Sequence, residues 1–119
     1  MSIQNLTVQS SKNANFTNAI FKGCNLDNNE FLGAKLQNIE FTKSSLKNLT
    51  IGGEITNCQF TNGCTFKKVI FKNATLKNLF IKNVSNMKSI LFENCKADKL
   101  SYEFLRLAKA NVNNIEVFS

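Results

Sequence analysis

The chain has 119 residues, with 15 Lys and Arg against 8 Asp and Glu, a formal charge of +7, and no His, Pro or Trp. That length buries a core in one domain without disulfide staples, and 43 % hydrophobic with 19 % charged residues excludes a disordered chain. The lack of His excludes imidazole acid–base catalysis, Ser-His-Asp and Cys-His nucleophiles, and zinc sites that use imidazole.

The N-terminal segment MSIQNLTVQSSK lacks the apolar centre of a signal peptide, and no run of about 18 apolar residues occurs, so a cytoplasmic protein is expected. Residues 1–13 read as a lead-in or a first partial coil.

From Phe16 the chain keeps a beat of five. Phe16, Phe21, Leu26, Phe31, Leu36, Phe41, Leu46 and Ile51 are all large and apolar. A step of four leads to Ile55, and the beat resumes at Phe60. A step of six reaches Phe66, Phe71, Leu76 and Ile81, and a second six reaches Met87, Phe92, Ala97 and Tyr102. Two residues before each centre the side chain is mostly small, as at Ala14, Ala19, Cys24, Ala34, Ser44, Gly53, Cys58, Cys64, Ala74, Ser85 and Cys95. Larger residues (Ile39, Leu49, Leu79, Ile90, Leu100) interrupt that column. Two residues after the centre, Asn or Gly fills 13 of the 17 slots from Asn18 to Lys99, the exceptions being Lys43, Lys68, Ser89 and Lys99.

A period of five matches neither the 3.6 of a helix nor the 2 of a strand. A short extended piece followed by a tight turn satisfies it. The Asn/Gly column then marks a turn position that needs positive φ. The 19 Asn residues and the missing Pro agree, because such a chain needs turns and also needs every backbone N–H. Centre and small columns point inward; the Lys-, Thr-, Asn- and Gln-rich slots face water.

AIFKG, CNLDN, AKLQN and ATLKN resemble the pentapeptide-repeat family over residues 14–100. The resemblance implies an all-β fold: a right-handed quadrilateral β-helix of about four to five coils, four pentapeptides to the coil. Irregular corners are expected near Gly52, Gly63 and Val84. Such a rod needs its open end covered. Residues 101–119 break the beat and read as a C-terminal cap, with a short helix carrying Tyr102, Phe104, Leu105 and Ala108, a stop at Asn111, and an extended piece containing Val112, Ile115, Val117 and Phe118. Phe104, Leu105, Leu107 and Phe118 are candidates for cap packing or for a homodimer contact, since C-terminal elements join some family members.

Cys24, Cys58, Cys64 and Cys95 all occupy the small inward column, so they read as compact core residues rather than as a metal quartet or disulfides. Cys24 and Cys64 fall two coils apart, about 10 Å, beyond disulfide reach. No carboxylate pair, phosphate loop or nucleophile elbow is present, so neither an enzyme nor a cofactor is expected.

Charge carries the main lead. No acid occurs between Glu54 and Glu93, and the frame stacks Lys47, Lys67 and Lys88 in one outward column with Lys68 beside them and Lys72 on a flanking side. These lysines either fill solvent slots or form a surface for nucleic acid, acidic protein or anionic membrane. A second lead is Leu32, Ile70 and Leu91, outward on one predicted side and suited to an apolar contact. Ile20 and Phe80 also fall in outward slots. The expected function is a non-enzymatic interaction scaffold of a bacterial cytosolic protein, with an unknown protein partner. The family's DNA-like modulators of gyrase are an alternative that the +7 charge opposes.

Overall fold

The computed structural model describes residues 2–5 and 15–118. The expectations for Ala14 and for residues 6–13 lie outside these.

The strands are β1 (Ser2–Asn5), β2 (Asn15–Thr17), β3 (Ile20–Asn25), β4 (Glu30–Gln37), β5 (Glu40–Thr42), β6 (Ser45–Thr56), β7 (Gln59–Thr61), β8 (Thr65–Lys77), β9 (Phe80–Lys82), β10 (Leu91–Glu93), β11 (Cys95–Asp98) and β12 (Ile115–Phe118), with one helix, α1 (Lys99–Leu107). Every pairing is parallel, and partners lie about twenty positions apart: Phe16 opposite Leu36, Leu36 opposite Ile55, Ile55 opposite Leu76, Leu76 opposite Ala97. Four five-residue steps therefore close one turn of a four-sided β-helix. The sides run through Phe16–Leu36–Ile55–Leu76–Ala97 (side one), Phe21–Phe41–Phe60–Ile81 (side two), Leu26–Leu46–Phe66 (side three) and Phe31–Ile51–Phe71–Phe92 (side four). β1 pairs with β3, so Ser2–Asn5 already joins side two.

The centres fill the axis. Leu26, Leu46, Ile55 and Leu76 are wholly buried, and the Phe21, Phe41 and Phe60 rings stack with centroids 5.0 and 4.6 Å apart. Stacking follows from the register, because identical residues on successive rungs sit about 4.8 Å apart.

The corners explain the Asn/Gly column. Positive φ occurs at Asn18, Gly23, Asn28, Gly33, Asn38, Asn48, Gly53, Asn57, Asn62, Asn73, Asn78, Asn83 and Asn94, and also at the exceptions Lys43 and Lys68. Asn is the L-residue that enters this region most readily apart from Gly. Here its amide has a second use. Between sides one and two, Asn38 Nδ2 donates to Asn18 Oδ1 (3.1 Å), Asn57 to Asn38 (3.2 Å) and Asn78 to Asn57, forming an amide ladder up the corner. Shorter ladders join Asn48 to Asn28 and Asn94 to Asn73.

The irregular corners have local causes. In the third coil Gly52 and Gly53 span a corner with one residue fewer than the coil below, where Leu32 and Gly33 precede Ala34. A Cβ on Gly52 would lie 2.2 Å from the Lys72 carbonyl oxygen, and one on Gly53 would lie 2.1 Å from that of Ala34. Only glycine fits.

The second six-residue step corrects the sequence frame. Thr65 bridges Ser85, so Ser85 is exposed rather than inward, and half-buried Val84 packs against the core. Asn86, at φ 69°, then opens a 3-10 turn at Met87–Ser89 where a strand would have continued.

At the C-terminal end the beat gives way to α1. Leu100, expected inward, is 49 % exposed, and Ser101 is buried in its place. Its Oγ accepts the Leu79 N–H at 2.9 Å, replacing the next rung of side two. Asp98 caps the helix: one carboxylate oxygen accepts from Ser101 N–H (2.8 Å) and the other from Asn78 N–H (2.9 Å), tying α1 to the top of the long amide ladder. The helix ends at Leu107, before the expected stop at Asn111. Lys109 takes φ 71°, and the bonds from Lys109 N–H to Arg106 and from Ala110 N–H to Leu105 make a Schellman closure. β12 then pairs with β11 as one more rung of side one.

Candidate interaction surface

The outward columns are set by the same register. On side three, Lys47 and Lys67 are direct ladder partners, and Lys68 follows at the corner above Asn48. Asp27 stands at the near end. Its Oδ1 accepts from the Ser45 hydroxyl (2.8 Å) and from Lys47 N–H (3.0 Å), so its charge is used to close a corner.

Two of the expected groupings change. Lys88 does not continue the ladder above Lys67, because it sits in the 3-10 turn. Lys72 lies on side four and is paired in register with Glu93, so an acid neighbours it one rung away. The apolar trio divides as well. Ile70 and Leu91 are ladder partners in one column, with Leu91 57 % exposed. Leu32 is half-buried on the other flank of side four, beside Gly52. Ile20 and Phe80 are exposed as expected.

One consequence of this arrangement was not visible in the sequence. The missing rung above Phe66–Val69 leaves a depression of about 550 Å³ at the corner of sides three and four, lined by Lys67, Lys68, Ile70 and Leu91 among others. Leu91, twenty-one positions on from Ile70, is brought beside Lys67, Lys68 and Ile70 there. The backbone exposed by the gap is partly served by side chains: Asn86 Nδ2 donates to the Phe66 carbonyl (2.7 Å), while the Ser89 hydroxyl donates to the Asn86 carbonyl (2.8 Å).

The cap residues take different roles. Leu105 is buried in the core, Phe104 meets Phe80 edge-on at 5.1 Å, and Phe118 lies under the Lys77 ammonium, 5.7 Å from its ring centre. Leu107 is 67 % exposed and, with Leu100 and Phe104, forms a stripe at helical spacing that no part of the described chain covers fully.

The four cysteines are buried thiols. Cys58, Cys64 and Cys95 each direct Sγ at a carbonyl of the coil below: Leu36 (3.4 Å), Phe41 (3.2 Å) and Phe71 (3.1 Å). Ser44 donates likewise to Phe21. Burial pushes the Cys58 pKa up to about 11 against smaller opposing effects of backbone contacts at Ile39 and Thr56, and raises Cys64 and Cys95 as well. Such thiols are poor nucleophiles and poor metal ligands. Among the described residues no cluster of three or more Cys, Asp or Glu is placed to hold a metal, and no helix is long and apolar enough to cross a membrane.

The pentapeptide-repeat family model matches residues 12–48 as eight copies. No curated protein matches the chain. The match identifies residues 12–48 as pentapeptide repeats, and the same register of parallel rungs carries on from Leu46 through Ala97.

Proposed function

We propose that this non-enzymatic repeat scaffold binds an anionic partner protein through side three and the corner at Lys68. The observation that carries the reading is the register of Lys47 with Lys67, with Lys68 alongside. Like charges on adjacent rungs repel, and an incoming carboxylate relieves that repulsion while the β-helix holds the site rigid. Poly-glutamate binding is expected to weaken steeply between 50 and 300 mM salt, and to be lost in the double variant Lys47→Glu, Lys67→Glu. Binding insensitive to salt and to both substitutions contradicts the reading. A nucleic acid or an anionic membrane would meet the same lysines; duplex DNA or phosphatidylglycerol vesicles bound in preference to poly-glutamate would transfer the site to that partner. Modulation of gyrase by DNA mimicry would need an acidic surface, and the +7 charge opposes it.

The stripe of Leu100, Phe104 and Leu107 favours a second reading, a homodimer through α1. Light scattering is expected to give twice the chain mass, falling to the monomer in Leu107→Glu. A monomeric parent protein contradicts it.

A further inference from the structure

We infer that the depression at the corner of sides three and four takes an acidic peptide segment of the partner that carries a large apolar anchor residue. This rests on the anionic-partner reading above and specifies its ligand. Lys67 and Lys68 supply positive charge on the wall, while the ladder pair Ile70 and Leu91 supplies an apolar surface within the same recess. The depression, of about 550 Å³, is open to solvent and has room for one large side chain laid against its wall.

The chemistry separates the candidate occupants. A phosphodiester backbone offers nothing to an aliphatic surface, and none of the lining residues is aromatic, so bases would find no stacking platform. A membrane is engaged by several exposed apolar residues together, whereas in this depression Leu91 is exposed and Ile70 beside it is half-buried. A peptide with acidic residues around a Leu or Phe matches both the charge and the shape. The corner itself adds support. Lys68 holds a left-handed conformation (φ 54°) in a column otherwise filled by Asn28 and Asn48, so a lysine lines the recess at some backbone cost.

Fluorescence anisotropy on the full chain, with labelled peptides of repeating Glu-Glu-Leu and Glu-Glu-Ser of equal length, tests the inference. Glu-Glu-Leu is expected to bind at least tenfold more tightly. Leu91→Ser should erase that preference, and Lys68→Asn should weaken both peptides several-fold. Ile70→Thr, which repeats the residue one rung below at Thr50, guards against misfolding in the first variant and should also erase the preference. Equal binding of the two peptides, or a preference that survives both apolar substitutions, overturns the inference while leaving a general anion-binding surface intact. If neither peptide binds and duplex DNA or phosphatidylglycerol vesicles do, both the peptide site and the protein-partner reading fall.

Discussion

At Lys68 the backbone turns through φ 54°, a conformation that costs an L-residue without a short polar side chain roughly 1 kcal/mol. Lys68→Asn should therefore raise stability by about 0.5–1 kcal/mol in urea unfolding, and it would extend the Asn28–Asn48 ladder by one amide. An unchanged or lowered midpoint would show that the corner holds lysine without strain. Gly52 is the opposite case. Any side chain there meets the Lys72 carbonyl oxygen, and that atom is fixed by the strand it belongs to. Gly52→Ala should cost about 3 kcal/mol or more, read as a lowered urea midpoint; a loss below about 1 kcal/mol would mean that the corner can relax.

Among the elements, α1 depends on Asp98. Partial burial alone would raise the Asp98 pKa, but hydrogen bonds from Ser101 and Asn78 and the charge of Lys77 outweigh it and hold the carboxyl below its ordinary value of 3.8. A carboxyl depressed in the folded state stabilises above its unfolded value, and that contribution disappears as pH falls through the lower folded value. Asp98→Ala should lose about 1–2 kcal/mol at pH 7. Its deficit relative to the parent protein should shrink once the pH drops below 3.8. A deficit constant down to pH 2.5 would assign the loss to packing rather than to the charged cap. The same element shows where the sequence stops being informative. The beat of five located each centre from Phe16 to Ile81, because volume and turn chemistry repeat independently and agree. Positive φ at Lys43 and Lys68 came with the frame even though neither residue announces it. The second step of six, after Ile81, contains one residue too many without marking which one. Ser85 and Val84 exchanged places for that reason, and the 3-10 turn that removed Lys88 from the column followed from the same insertion. Leu100 yielded to Ser101 because a buried N–H at Leu79 needed an acceptor, a demand set by the coil below. The recess beside Lys68 was hidden likewise, since it is made by a rung that is absent.

Across the whole molecule, residues about twenty apart in the chain are neighbours along one axis, which makes the outward columns into surfaces. Stability, the lysine register and the recess all depend on it. Nuclear Overhauser contacts between aromatic rings test it most directly. Contacts are expected from the Phe21 ring to Phe41 and from Phe41 to Phe60, whose centroids lie 5.0 and 4.6 Å apart. Sequential contacts of helical spacing through residues 16–92, with no ring contacts between residues about twenty apart, would contradict it.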